Sequence, residues 1–146
     1  MAYYMPLVPP LDIVWIWNVS GPVSPRVYSR RPDVMLVQHA LNSVMAALHL
    51  KNDRGDEITS YLLRDGYMGP KTLEAIMAYQ RNLKSRSLYV KVDGAVDESS
   101  QSGWTGDGNA QFTIVYLNRD HLKINGKMMQ EKDFPELLRN SLLATR

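Results

Sequence analysis

The chain has 146 residues, of which 45% are hydrophobic, and its 17 basic and 15 acidic residues leave a formal net charge of +2. That hydrophobic content is enough for a folded core, while so small a charge gives nucleic acid or anionic lipid no strong general attraction. The absence of cysteine excludes disulfides, thiolate nucleophiles and thiolate metal sites.

Residues 1–32 are rich in proline and large apolar side chains, and every residue from 13 to 17 (IVWIW) is apolar. Both faces of a strand in this segment would therefore be apolar. We predict an irregular apolar arm, which either packs on its own domain or docks on another subunit. Because the segment lacks a basic start and a run of roughly 20 apolar residues, we expect neither a signal peptide nor a membrane span.

The segment from Asp33 to Leu50 has helical periodicity. Its apolar residues recur at three- and four-residue steps, at Val34, Val37, Leu41, Val44 and Leu48. Asp33 is a candidate N-cap. We predict an amphipathic helix that ends near Leu50, followed by a charged loop over residues 51–64.

A second helix is predicted from Pro70 to about Lys84. Proline at a first helical position has its φ angle already set and has no amide hydrogen to leave unpaired. The following residues form one stripe, at Leu73, Ile76, Met77, Gln80 and Leu83. This face is expected to meet the first helix.

Residues 101–146 are predicted to form a loop and a helical extension packed on the same domain. Residues 112–124 fit a strand by propensity and a helix by the spacing of their apolar residues, and we favour the helix. Asn125 and Gly126 are expected to end it. Residues 133–144 are predicted to form a short final helix with Asp133 as its cap.

Two Asp-Gly pairs begin at Asp65 and Asp93, 28 positions apart, and each precedes a possible helix start. Aspartate accepts hydrogen bonds from nearby backbone amides and glycine tolerates a positive φ, so each pair is expected to reverse the chain. The residue seven positions after each aspartate is Thr72 or Ser100. We predict that its hydroxyl ties the new helix to the turn.

Together with the helices, these turns resemble the peptidoglycan-binding domain family of small three-helix modules. The resemblance covers residues 33–100. It is carried by Val34-x-x-Val37-Gln38-x-x-Leu41, by Asp65-Gly66-x-Met68-Gly69-Pro70-Lys71-Thr72-x-x-Ala75-Ile76-x-x-Tyr79-Gln80, and by Asp93-Gly94-x-Val96. It implies a mainly α fold, a compact three-helix bundle with the N-terminal arm and the C-terminal extension on either side. The chain departs from the family in a longer connection before Asp65, in Asp97 where glycine is usual, and in a displaced third helix.

The resemblance implies a non-catalytic module that binds or targets bacterial cell wall, with peptidoglycan or its fragments as partner. Exposed aromatic and planar polar groups usually hold such ligands, so the candidate contacts are Tyr61, Arg64, Tyr67, Tyr79 and Arg81. Tyr79 is also a candidate core residue. The residues expected to make the fold are Asp65, Gly66, Gly69, Thr72, Gln80, Asp93 and Gly94.

No residue pattern indicates catalysis, so we predict no enzyme, no metal site and no cofactor, and we expect no nucleic-acid partner. The alternative hypothesis is a structural or adaptor component of a phage tail or a related injection or secretion assembly. In that case residues 1–32 would bind a protein partner or a second copy. Such an assembly would also deliver the protein to the cell envelope without a signal peptide.

Overall fold

A computed structural model describes residues 2–7, 15–106 and 108–143. These ranges contain the elements β1 (Tyr3–Pro6), β2 (Trp15–Asn18), α1 (Arg31–Leu48), α2 (Pro70–Ser85), α3 (Thr113–Asn125), a 3₁₀ turn (Glu131–Asp133) and α4 (Glu136–Leu143). Helix α1 packs against the three other helices and forms the centre of the fold. None of the described helices has the length and apolar character needed to cross a bilayer.

The predicted mainly α, three-helix bundle is wrong. The described residues form a mixture of α and β structure, about 43% helical and 10% strand, with four helices and a two-stranded antiparallel sheet. Strand β1 pairs with β2, with Tyr4 opposite Trp17. The sequence did not reveal these strands because Ile16 is buried while Trp15 stacks on Tyr4, with 5.1 Å between ring centroids. Apolar side chains are used on both faces, so the polar alternation typical of a strand is missing.

The described part of the N-terminal segment packs into the same hydrophobic core as the helices. Ile16 and Val19 are fully buried. Asn118 on α3 binds both backbone groups of Trp17, accepting from its N–H at 2.9 Å and donating to its carbonyl at 2.9 Å. The Trp17 indole N–H donates to the Met129 carbonyl at 2.8 Å. These bonds attach β2 to the helices and satisfy backbone groups that burial would otherwise leave unpaired.

The start of α1 differs from the prediction. The helix begins at Arg31, and Asp33 is not its N-cap but a buried residue of the first turn. The Asp33 carboxylate accepts hydrogen bonds from the Ser20 backbone N–H at 3.0 Å and from the Ser20 hydroxyl at 2.9 Å. Asp33 therefore joins the N-terminal segment to α1.

The helical interpretation of residues 112–124 is confirmed by α3. This helix ends at Asn125, and its C-cap is Gly126, whose φ of 75° lies in the left-handed region. The final helix begins at Glu136, later than predicted, because Asp133 belongs to the preceding 3₁₀ turn and does not cap α4. Helix α4 buries Leu138 and Leu142.

Replacing Asn118 with alanine is expected to lower the free energy of unfolding by about 2 to 4 kcal/mol, because two buried backbone groups of Trp17 lose their partner. Urea denaturation followed by circular dichroism measures the change. Asn140→Ala, at an exposed position of α4, is the control and should change the free energy by less than about 0.5 kcal/mol. Equal effects in the two variants would contradict the role of Asn118.

Candidate functional site

The first Asp-Gly turn is organised by Gln38, a buried side chain on α1. Its amide nitrogen donates to Asp65 Oδ1 at 3.2 Å, to the Tyr67 carbonyl at 3.1 Å and to Thr72 Oγ1 at 3.1 Å. Its amide oxygen accepts from the Gly66 N–H at 3.0 Å. One side chain therefore fixes α1, the turn and the start of α2 against one another.

The second Asp-Gly turn has the same arrangement around Gln80, which is buried on α2. The Gln80 amide nitrogen donates to Asp93 Oδ1 at 3.2 Å, to the Ala95 carbonyl at 2.9 Å and to Thr113 Oγ1 at 3.1 Å. Its oxygen accepts from the Gly94 N–H at 2.9 Å. The chain thus contains two units in which a helix glutamine holds an Asp-Gly turn and the threonine that opens the next helix.

The predicted tie at Ser100 is wrong. Thr113 closes the second unit and follows Asp93 by 20 positions, whereas Thr72 follows Asp65 by seven. The additional residues form a loop between the second turn and α3. Local spacing could not reveal this, because an inserted surface loop leaves the chemistry of the turn unchanged.

Both turn glycines have a positive φ, and at Gly66 a close approach to the backbone adds to this requirement. Gly66 has a φ of +80°, and a Cβ atom there would lie 2.9 Å from the Arg31 carbonyl oxygen. Gly94 has a φ of +72°, and a Cβ atom there would lie 2.7 Å from Leu73 Cδ1. The first turn consequently lies directly against the N-terminal end of α1.

A cleft of about 330 Å³, here called the Tyr67 cleft, opens between the first turn and the segment before α1. Its walls include Pro25, Val27, Tyr28, Arg31, Tyr67 and Met68. Tyr28 and Tyr67 are 86% and 60% exposed. The Arg31 guanidinium carbon lies 4.4 Å from the centre of the Tyr67 ring, and its Nη2 donates to the Asp65 carbonyl at 2.9 Å. The described residues of this cleft thus offer aromatic rings and one fixed cation, with no carboxylate or imidazole among them.

Three of the other predicted contacts lie elsewhere on the surface. Tyr61 is exposed and lines a different cleft, beside His49 and Glu57. Arg64 is engaged within the protein, because its Nη1 contacts His39 Nδ1 at 3.0 Å and donates to a backbone carbonyl of the 3₁₀ turn at 2.9 Å. Arg81 Nη2 donates a hydrogen bond to the Lys51 backbone carbonyl at 3.2 Å. The structure does not bring these side chains together with Tyr67.

Tyr79 is a core residue and is not available to a ligand. Its side chain is fully buried, and its hydroxyl donates to Asp120 at 2.6 Å. Asp120 also forms an ion pair with Arg86 at 2.7 Å. Burial raises the pKa of Tyr79 well above its usual value, and the neighbouring Asp120 carboxylate raises it further. The hydroxyl therefore remains a hydrogen-bond donor.

Sequence reasoning missed Tyr28 and Arg31 as lining residues of the Tyr67 cleft. They reach it because the N-terminal segment passes beside both Asp-Gly turns. Val23 exchanges two backbone hydrogen bonds of 2.9 Å with Val96, and Arg26 Nη2 donates to the backbone carbonyl of the second turn at 3.0 Å. No local sequence pattern predicts that the N-terminal segment runs beside the two turns. The prolines and serines around Tyr28 indicate only that this tyrosine lies in a surface loop.

No protein-family model, curated protein or solved structure matches the chain. Within the described residues, no group of three or more His, Cys, Asp or Glu side chains is placed to hold a metal ion. The Tyr67 cleft and the two turn units are therefore the features of the described structure that bear on function.

The variant Gly66→Ala is expected to lower the free energy of unfolding by at least about 2 kcal/mol, because it combines a strained φ with a clash against a backbone oxygen. Gly55 has a similar φ of +83° and open space around it. Gly55→Ala therefore reports the conformational cost alone, about 1 kcal/mol. Thermal and urea unfolding compare the two, and equal losses would exclude the close approach at Gly66.

Protein stability is expected to fall as the pH falls from about 6.5 towards 4. Burial and, next, the charge of Arg64 lower the pKa of His39 to about 4, whereas the unfolded chain keeps a value near 6.5. Between these pH values the unfolded state binds more protons, so the free energy of unfolding decreases by about 2 to 3 kcal/mol. Urea titrations across this range should show the full decrease in the parent protein and in His49→Gln. His39→Gln should show a smaller decrease, which remains because burial also lowers the pKa of His121. An unchanged pH dependence in His39→Gln would contradict the assignment.

Proposed function

We propose that this protein is a non-catalytic module that binds bacterial peptidoglycan, and that the Tyr67 cleft is its contact surface. The observation that carries the proposal is the pairing of two exposed tyrosines with a fixed guanidinium in one cleft. The resemblance of the Asp65-to-Gln80 segment to the peptidoglycan-binding family supports the same ligand class.

The chemistry of the Tyr67 cleft suits a glycan that bears peptide stems. Tyrosine rings offer apolar faces to a sugar ring, and their hydroxyls exchange hydrogen bonds with sugar hydroxyls or peptide groups. The Tyr67 ring is held by the guanidinium of Arg31 against it. A contact that is already ordered loses less conformational entropy when a ligand binds.

Arg31 adds a preference for an acidic group on the ligand. Its Nη2 and Nε bond to the Asp65 carbonyl, which fixes the guanidinium plane. Carboxylates of peptide stems are natural partners for a guanidinium, which can hydrogen-bond both of their oxygens. Since no carboxylate is found among the described residues of the cleft, an incoming carboxylate meets no like charge there.

In this function the Tyr67 cleft binds its ligand without cleaving a bond. Glycoside hydrolysis ordinarily uses two carboxyl groups that flank the scissile bond. The described residues of the Tyr67 cleft include tyrosine and arginine side chains and no such pair of carboxyl groups. The surface is suited to retention on the cell wall.

A second candidate function is structural, as an adaptor in a phage tail or a related injection or secretion assembly. It is favoured by the stacked rings of Tyr4 and Trp15, each 43% exposed on the β1–β2 sheet. Aromatic side chains are enriched at protein interfaces. In that function the β1–β2 sheet would contact a neighbouring subunit.

The variants Tyr67→Ala and Tyr28→Ala are each expected to weaken retention on isolated peptidoglycan sacculi by about tenfold, through loss of an aromatic contact. Co-sedimentation at increasing sacculus concentration measures the change. Tyr89→Ala is the matched control, because Tyr89 is similarly exposed, at 68%, and does not line this cleft. Circular dichroism checks that each variant keeps its helical content.

Saturable pelleting that depends on Tyr67 and Tyr28, and not on Tyr89, supports the binding module. Pelleting no greater than that of a soluble control protein of similar charge would overturn it. The structural candidate then gains weight, and Trp15→Ser would be the variant to test for loss of assembly.

A further inference from the structure

The backbone of β1 directs one pair of hydrogen-bonding groups away from the β1–β2 sheet. On β2, the Trp17 N–H and carbonyl both bond to Asn118, at 2.9 Å each, and therefore point away from β1. Tyr4 lies opposite Trp17 in the antiparallel register. The two residues consequently form a non-hydrogen-bonded pair, in which the backbone groups of Tyr4 point to the outer edge of β1.

This outer edge of β1 is open at Tyr4. Tyr4 is an exposed residue, and none of the described residues bonds to its backbone N–H or carbonyl. Natural proteins usually protect such an edge with charged side chains, a bulge or a covering element. The two strands read YYMP and WIWN and contain no charged side chain. The protection present in β1 is Pro6, which lies at the far end of the strand and leaves Tyr4 free to pair.

The other edge of the sheet is covered. Helix α3 lies beside β2, and its Asn118 occupies the backbone groups of Trp17 that an additional strand would need. The described sheet thus has an open edge on β1 and a covered edge on β2. Association through β1 therefore ends when two copies meet, because neither copy then offers a further strand edge at which the sheet could grow.

The open edge of β1 is complementary to itself. When two strands pair antiparallel about the same residue, each N–H meets the carbonyl of its counterpart, which is the symmetry of a twofold interface. The side chains of the central pair also lie directly opposite each other on one face. At Tyr4 that face is aromatic, because the Tyr4 ring stacks on Trp15 with 5.1 Å between ring centroids.

We propose that two copies of this chain associate through the outer edge of β1, antiparallel about Tyr4, and form a four-stranded sheet in the order β2-β1-β1-β2. Two backbone hydrogen bonds and a pair of tyrosine rings across the central strands stabilise it. Because Pro6 has no N–H to donate, the ladder stays short and the dimer is weak and reversible. It does not depend on peptidoglycan binding, since the residues that line the Tyr67 cleft lie outside both strands.

The first test is sedimentation equilibrium of the full chain between about 5 and 500 µM, a range suited to a small interface. The mean mass should rise from that of one chain towards that of two. Tyr4→Val keeps the N–H and loses the ring, so its dimer should be about tenfold weaker. Tyr4→Pro also loses the outward N–H, and its dimer should be about a hundredfold weaker. Tyr89→Ala, an exposed tyrosine outside the sheet, should associate as the parent protein does.

The second test needs no substitution, so it decides the matter even if Tyr4→Pro loses helical content. Amide hydrogen exchange, observed by NMR, should slow at Tyr4 as the protein concentration rises. The Met5 N–H, which belongs to a hydrogen-bonded pair with Ile16, is the internal reference and should not change. Four results would overturn the proposal: a single-chain mass over the whole range, growth beyond two chains, equal association of Tyr4→Val and Tyr4→Pro, and exchange at Tyr4 that is independent of concentration.

Discussion

Two buried glutamine side chains hold the structure together. A buried amide costs free energy unless its donors and acceptor are all used, and Gln38 and Gln80 each meet this condition by binding an Asp-Gly turn and the threonine of the next helix. Each glutamine thereby fixes the direction in which the chain leaves one helix and enters the next. The packing of α1, α2 and α3 follows from these two units.

The N-terminal segment depends on the same framework. Val23 pairs with Val96 beyond the second turn, Ser20 bonds to Asp33 on α1, and Trp17 bonds to Asn118 on α3. Because these contacts come from three different parts of the fold, the position of the segment depends on all three. The segment also forms one wall of the Tyr67 cleft. The shape of the candidate binding surface therefore depends on how this segment packs.

The two turn units give clefts of different character. The first is aromatic with one guanidinium, and the second is lined by the carboxylates of Asp93 and Asp97 and the ammonium of Lys91. The difference comes from what completes each cleft, which is the N-terminal segment at the first turn and the inserted loop at the second. The same turn unit therefore presents surfaces of different chemistry at its two positions, since the chemistry of a surface belongs to the side chains placed on a fold.

The sequence by itself determined the local features. Helical periodicity placed α1 and α2, Pro70 marked the start of α2, and the two Asp-Gly pairs marked the turns, because each depends on residues close together in the chain. Only the tertiary structure decided the pairing of β1 with β2, the use of Thr113 in place of Ser100, and the burial of Tyr79. These outcomes depend on contacts between residues far apart in sequence, and local pattern does not encode which distant side chain will supply a partner.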